Sequence, residues 1–355
     1  MIKKWLKGAI GGRTRTRRWL YLVDVRGELA AESHHLVWRM PGERPRKIPL
    51  REVEHILVSR GVSLGSSLFR QCLIEGVGIS FLGRYGDFLG GLTPQEDTRR
   101  SRRISQYAHR ACPRKRLELA KNLVLARIDA MSDRARERGS GVDLDSRKTL
   151  IRAVNEACRG IANQCPDLET LRGYEASVTK PYLSLLREEF RHLPLGVRSR
   201  RPPRDEVNSL LSYAYAVLSG ELRALVQMSG LDPHAGFVHE GSGGRADLVL
   251  DLLDILRPGF VDPFLIALVN LKKISRSDFQ RDGEGVLLND EGKRTFFAEW
   301  HQWLGRGEES GGWEMLAEYF RELGTSFGKG EAEQLGKMMR SLGTLFAKGG
   351  RIGKK

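Results

Sequence analysis

Residues 230–258, GLDPHAGFVHEGSGGRADLVLDLLDILRP, hold three aspartates, Asp247, Asp251 and Asp254, at spacings i, i+4 and i+7. On a helix that spacing aligns all three carboxylates on one face. Like charges so placed repel, and Leu248, Val249, Leu250, Leu252, Leu253, Ile255 and Leu256 set them within or beside a packed surface. A bound cation is the usual compensation. His239 ends the apolar run GFVH just before this helix, where its ring nitrogen can join the carboxylate oxygens. A mixed histidine and carboxylate set suits Mn²⁺ or Mg²⁺ in phosphate chemistry, and it lacks the thiolates or the H-E-x-x-H spacing of a standard zinc site. The same residues also read without a metal: one or two aspartates face solvent, Asp247 partners the helix dipole, and His239 is half-buried with its hydrogen bonds satisfied. Spacing alone leaves both readings open.

Other patterns carry less. GSGGR at 241–245 opens a helix but is not G-x-x-x-x-G-K-[ST], and it reads as a flexible turn between His239 and the aspartates. No G-x-S-x-G elbow is present, so a hydrolase triad has no support. Tyr182, Tyr213 and Tyr215 lie on apolar helical stretches and read as core.

The elements that must position these residues divide into two kinds. From about residue 20 to 92 short β-favouring runs, LYLVDV, HHLVW, RKIPL, HILVS and GISFL, alternate with glycine and proline turns, and SLGSSLFRQCLIEG has helical spacing. After Gly91 the apolar period changes: CPRKRLELAKNLVLARIDAM and later runs at 147–163, 166–191, 205–228, 245–257, 262–271 and 294–304 predict helices. VLL at 286–288 is the one strand-like run expected there. The fold class is therefore α+β, a mainly-β domain over 19–92 followed by a larger all-α domain over 93–304. Residues 1–18 form a basic extension, and 305–355 a flexible connection and a glycine-containing amphipathic tail.

The chain has 355 residues, 59 Lys and Arg against 44 Asp and Glu, a net charge of +15, and 40% hydrophobic residues. That composition builds packed cores and excludes a wholly disordered chain. No run approaches the roughly 18 apolar residues of a membrane span, and the basic N-terminus lacks a secretory h-region, so the expected address is the cytoplasm, with no membrane partner. Cys72, Cys112, Cys158 and Cys165 form no C-x-x-C pair and read as reduced thiols. The charge is clustered: residues 99–116 carry eight Lys and Arg, and residues 191–204 five, without an acid in either. Arg99, Arg100, Arg102 and Arg103, with Arg198, Arg200 and Arg201, are the candidate contacts to a nucleic-acid backbone, whose counterions such clusters release. A solvated basic surface without a partner is the plainer alternative.

RPPRDEVNSLLSYAYAVLSGEL at 201–222, then GLDPHAGFVH, then DLLDILRP, closely resemble in order the catalytic half of the CRISPR-associated adaptation integrase family, Cas one. YLVDVRGEL, the stretch IPLREVEHILVSRGVSLGSSLFRQCLIEGVGISFLGRYGDFLG and GVLLNDEGKRTFF resemble its β-domain and a late strand-helix element, so the likeness spans about 19–304. The resemblance implies that the family's metal ligands fall on Glu175, His239 and Asp254, with Asp251 as a supporting acid. Glu175 comes from the family's Gly-x-Glu-Gly-x-Ala helix, and Tyr182 stands where the family has a tyrosine. Two departures follow it: Ala176 replaces a glycine, and Pro181 interrupts the expected helix at a cost of about 3 kcal/mol unless the helix kinks or begins there.

The implied function is a metal-dependent DNA integrase, using Mn²⁺ or Mg²⁺ to join the 3′-hydroxyl of a captured DNA fragment to a CRISPR repeat by transesterification. The implied partners are DNA, a second copy of the chain paired through the β-domain, and the small ferredoxin-like protein Cas two. Two other readings remain: a stand-alone metal-dependent nuclease on branched or single-stranded nucleic acid, and a non-catalytic DNA-binding scaffold.

Overall fold

The computed structural model describes residues 18–22, 25–83, 86–94, 100–137, 142–241, 244–304, 312–329 and 337–338. Of the basic extension only Arg18 falls among them, and within the tail 305–311, 330–336 and 339–355 lie outside. Strands β1 (Arg18–Leu22), β2 (Gly27–Glu32), β3 (His35–Arg39), β4 (Arg46–Pro49), β5 (Val53–Val58), β6 (Val62–Leu64), β7 (Gly78–Leu82) and β8 (Phe88–Leu92) enclose one helix, α1 (Ser66–Glu75). They form two four-stranded sheets, β4-β3-β2-β6 and β1-β5-β7-β8. β5 lies parallel to both β1 and β7. A central parallel strand is covered on both faces, which is why HILV reads as an unbroken apolar run rather than an alternation. Leu22, Leu29, Leu36, Trp38, Ile56, Leu68, Cys72 and Ile79 pack together as this half's core. His55 also lies inside, its ring stacked 4.4 Å from that of Trp19, and burial pushes its imidazole down to about 3, so it is neutral. A Cβ at Gly78 would stand 2.3 Å from the same ring, so that strand position admits no side chain.

Helices follow: α2 (Arg100–Ala111), α3 (Pro113–Arg136), α4 (Leu144–Asn163), α5 (Leu168–Glu189), α6 (Glu206–Met228), α7 (Asp247–Leu256), α8 (Asp262–Asn270), α9 (Asp290–Leu304) and α10 (Gly312–Lys329). Their starts are written locally. Pro113 stands at the first turn of α3, where its missing N–H costs nothing. Asp143, Asp167 and Asp205 cap α4, α5 and α6 through side-chain oxygens. α3 packs against α4, α5 and α7 and so lies at the centre of the helical half.

Strands β2, β6 and β8 lie outside the five β-favouring runs that the sequence marks, and three further features differ from the sequence expectation. α5 runs unbroken through Pro181, because Val178, Tyr182, Leu185 and Leu186 bury the turns on either side. VLL at 286–288 belongs to β10 (Gly285–Leu288), which pairs with an unanticipated strand β9 (Phe279–Asp282) whose residues are mostly exposed and polar. Within the tail, α10 packs on α2 and sets Phe320, Leu323 and Phe327 into the helical core. Between α7 and α8, Arg257–Val261 forms one wide π turn.

The two halves meet at a buried carboxyl. Glu221 of α6 is wholly inaccessible, accepts a bond from Trp300 Nε1 of α9 at 3.2 Å, and lies beside the Tyr21 hydroxyl of β1. Burial pushes Glu221 up to about 8, against the smaller opposing effect of Trp300 and Tyr21. In the unfolded chain a glutamate ionises near 4.3. The native state therefore holds the proton longer, and stability falls as pH rises from about 4 to about 8 and levels off beyond. Glu221→Gln keeps the acceptor for Trp300 and removes the ionisation. Its melting temperature should match the parent's near pH 4.5 and exceed it by several degrees at pH 8.5; a gap that stays constant across that range in circular-dichroism melts would refute the assignment.

Candidate active site

α7 presents its three aspartates as the spacing predicts, and Asp247, Asp251 and Asp254 are all buried. The reading in which one or two face solvent is thereby excluded. Asp251 accepts backbone N–H groups from Phe237 at 2.6 Å, Val238 at 3.1 Å and His239 at 2.9 Å. Its Oδ1 also lies 2.7 Å from His239 Nδ1. A carboxylate has about four lone-pair sites, and all are used. Asp247 continues the pattern by accepting from the Gly241 N–H at 2.8 Å. Gly236 makes the approach possible, since a Cβ there would stand 2.7 Å from the Asp247 carbonyl carbon.

The opposite edge of this loop is held by guanidinium groups. Arg110 of α2 donates to the Gly236 carbonyl, Arg116 of α3 to that of Phe237, and Arg172 of α5 to that of Val238. Gln106 holds the preceding turn through the carbonyls of Asp232 and Ala235. The N–H groups of residues 237–239 are thus fixed by α7, and the carbonyls of 236–238 by three other helices. Arg110 and Arg116 belong to the 99–116 cluster, so part of that charge is structural.

His239, Glu175 and Asp254 line one cavity of about 540 Å³, with Arg127, Arg172, Lys180, Arg187, Arg200 and Arg257. Because Asp251 accepts at Nδ1, that nitrogen carries the proton in the neutral ring, and Nε2, 3.8 Å from Asp254 Oδ2, is then the nitrogen with the lone pair. The bond to Asp251 raises the His239 pKa, against a smaller lowering by burial. Burial pushes the Asp254 carboxyl up, but Arg257 and Arg127, joined by His239 when its ring is protonated, bring it below its ordinary value. Arg127 Nη1 bonds Glu175 Oε1 and lies 3.4 Å from Asp254 Oδ2, and Arg257 pairs with Asp254 Oδ1. Among the described residues no three histidine, cysteine or acidic groups converge closely enough to hold an ion as they lie, because Arg127 bridges the two acids. The donor chemistry nonetheless fits Mn²⁺ or Mg²⁺: one imidazole nitrogen of fixed tautomer and two carboxylates from different helices, facing one cavity. Ala176 and Pro181 do not displace Glu175 from it.

Behind the site, Asp262 is fully buried and accepts the hydroxyls of Tyr182 at 2.5 Å and Tyr215 at 2.6 Å. The Arg257 guanidinium lies over the Tyr215 ring, 4.5 Å from its centre. Tyr182 and Tyr213 are core residues as expected, whereas Tyr215 is half-buried against that core; the hydroxyls of Tyr182 and Tyr215 are both satisfied by Asp262.

The candidate backbone contacts separate into two groups. Arg100, Arg103, Arg200 and Arg201 are exposed. Arg102 is spent on the Ser229 carbonyl and Thr325, and Arg198 on the Ser199 carbonyl, Asn208 and Ser212. Arg99 lies outside the described residues. No helix among the described residues is long and apolar enough to cross a membrane.

Residues 20–302 match the family model described as "CRISPR associated protein Cas1". The chain belongs to the Cas1 family. A curated relative from Rhodospirillum rubrum, named CRISPR-associated endonuclease Cas1 2, is 31% identical over 298 residues, 80% of this chain and 85% of that one. Two solved structures share the fold. One is described as a casposase bound to integration product, with TM-score 0.68, 21% identity and coverage of 88% of this chain and 91% of that one. The other is a Cas6-RT-Cas1–Cas2 complex, with TM-score 0.73, 18% identity, and coverage of 94% of this chain and 37% of that one. The α+β architecture expected from sequence is shared with these solved structures.

Arg127 and Arg257 were not among the sequence candidates. Arg257 stands in the DLLDILRP motif, but Arg127 sits within LVLARIDAM with nothing local to mark it. The loop geometry separates Asp251 from His239 experimentally. Asparagine at 251 offers one acceptor oxygen and a donor NH₂ to four donors, leaving buried N–H groups unpaired at about 1–3 kcal/mol each. At about 2–4 °C per kcal/mol in a chain of this size, Asp251→Asn should lower the melting temperature by about 5 °C or more. His239→Ala, at the half-exposed rim, should shift it by less than about 2 °C. Equal melting temperatures for the two metal-free variants would remove Asp251 from its loop-holding role.

Proposed function

We propose that this Cas1 family member is a metal-dependent DNA integrase of CRISPR adaptation, which joins the 3′-hydroxyl of a captured fragment to the edge of a CRISPR repeat. The observation that carries the reading is the convergence of His239 Nε2, Asp254 and Glu175 on one cavity otherwise rich in guanidinium and ammonium groups. Glu175, His239 and Asp254 would hold one Mn²⁺ or Mg²⁺, which would polarise the scissile phosphodiester and stabilise charge on the leaving oxygen. Asp251 keeps the imidazole in the productive tautomer. Arg200, Arg257 and Lys180 supply positive potential for the entering phosphate. In the joining step the 3′-oxygen forms a bond to phosphorus as the repeat strand's 3′-oxygen leaves, so the number of phosphodiester bonds is unchanged. Water in place of the 3′-hydroxyl would give strand cleavage at the same site, in keeping with the endonuclease name of the curated relative.

The casposase neighbour's integration product and the complex containing Cas1 and Cas2 support DNA and a Cas2 partner for this chain as well. A homodimer through the β-domain is the assembly that the family resemblance favours. Exposed Arg100, Arg103, Arg200 and Arg201 would hold DNA through its phosphates without reading sequence.

Three outcomes test this. His239→Ala and Asp254→Ala should each lower joining of a labelled fragment to a repeat plasmid by about 100-fold or more at saturating Mn²⁺, with the fold retained. Near-normal joining by either variant would overturn the site. Glu175→Ala should bind DNA as well as or better than the parent while failing to join it; if it binds and joins normally, the third ligand lies elsewhere. Replacing Arg100, Arg103, Arg200 and Arg201 by alanine should flatten the slope of log affinity against log salt by about 3 to 4, at about 0.9 per duplex phosphate contact. An unchanged slope would return those residues to the solvated-surface reading.

A further inference from the structure

Arg127 occupies the position between the two carboxylates that the proposed ion would need. Its Nη1 bonds Glu175 Oε1 of α5 and lies 3.4 Å from Asp254 Oδ2 of α7, and Arg127 itself projects from the central helix α3. The side chains of Arg127, Glu175 and Asp254 are each no more than 15% exposed, so this is an enclosed contact rather than a surface ion pair. The Arg127 Nε is buried and has no hydrogen-bond partner among the described residues. The guanidinium is therefore committed to the two acids through one nitrogen, Nη1, while Nε is left unsatisfied, an arrangement that neutralises charge without using the full fork.

Without a cation here, Glu175 and Asp254 would place two negative charges at one enclosed point beside the buried Asp251. With a divalent cation present, Arg127 would become a like charge at the same point. The guanidinium needs another anion to leave for, and a DNA phosphate entering the cavity is one that matches its geometry: two oxygens facing two N–H groups. Arg200, Lys180 and Arg257 line the same cavity and favour that anion's approach.

We propose that Arg127 is a resident counter-ion that keeps the metal site closed to free divalent ions and hands its carboxylates over when a DNA phosphate arrives, so that metal and DNA load cooperatively. The proposal rests on the integrase reading above and concerns only how its site is filled. Linkage makes the coupling reciprocal: whatever factor DNA adds to Mn²⁺ affinity, Mn²⁺ adds to DNA affinity. Arg127 is thus a positioning and gating residue rather than a ligand.

The test is a binding measurement on the full chain. Mn²⁺ is titrated, with the free ion followed by electron paramagnetic resonance, in the absence and presence of a short DNA duplex with 3′-hydroxyl ends, for the parent, Arg127→Gln and Arg127→Lys. The parent should bind Mn²⁺ weakly alone and about tenfold more tightly or better with DNA, within the range of ordinary coupling. Arg127→Gln should bind Mn²⁺ alone about tenfold more tightly than the parent and lose most of the enhancement by DNA. Arg127→Lys, which keeps the charge, should resemble the parent in the absence of DNA. A second readout covers the case in which removal of a buried cation weakens the fold: Mn²⁺ should raise the melting temperature of Arg127→Gln by more than it raises the parent's.

Equal Mn²⁺ affinity in the parent and Arg127→Gln, or tightening in Arg127→Lys equal to that in Arg127→Gln, would overturn the gating role while leaving the metal site standing. Failure of the parent to bind Mn²⁺ both with and without DNA would instead overturn the metal-dependent reading itself.

Discussion

A single buried carboxylate, Asp251, organises the catalytic half. It gathers three consecutive backbone N–H groups and one imidazole nitrogen, and so converts a loop into a fixed platform for His239. The loop's carbonyls are then free to be taken by Arg110, Arg116 and Arg172, each on a different helix. Charge on α7 is thus balanced without a compensating cation at Asp251, because four donors share the work. The remaining acid, Asp254, faces the cavity and has Arg127 and Arg257 beside it. The helix divides its acids by function: Asp247 and Asp251 fasten the loop, and Asp254 turns toward the place where chemistry is proposed.

The α7 face was legible in the sequence because a 3.6-residue period is a local property, and Asp247, Asp251 and Asp254 carry it within eight residues. Which of the three fastens and which faces the cavity was not legible from spacing, since the answer lies in a loop that folds back over the helix. Glu175 shows the limit more sharply. It stands on another helix with no marked neighbours, and only the family resemblance singled it out. Arg127 lay beyond both routes, as its partners are 48 and 127 residues away along the chain.

The fold followed the same rule. Apolar period gave five of the first eight strands and most of the helices, whereas β2, β6, β8, β9 and the continuity of α5 through Pro181 depend on partners that local pattern does not encode. β9 is polar and exposed, and is a strand because β10 pairs with it. α5 survives its proline because apolar residues on both sides are buried against neighbouring helices, outweighing a lost hydrogen bond. The basic clusters were visible as charge, but charge alone does not separate Arg110 and Arg116, which brace a loop, from Arg200 and Arg201, which reach solvent.

The wide turn at Arg257–Val261 sets the angular phase between two helices. Asp254 and Asp262 stand on either side of it, one facing the cavity and the other buried beneath two tyrosine hydroxyls. Each residue of an α-helix advances about 100° around its axis, so the register of this turn decides where α8 aims its acid. Shortening it by one residue would swing Asp262 away from Tyr182 and Tyr215. Arg257, which starts the turn, lies over the Tyr215 ring and pairs with Asp254, so the rotational setting of α8 is geared to the electrostatics of a carboxylate two helical turns upstream.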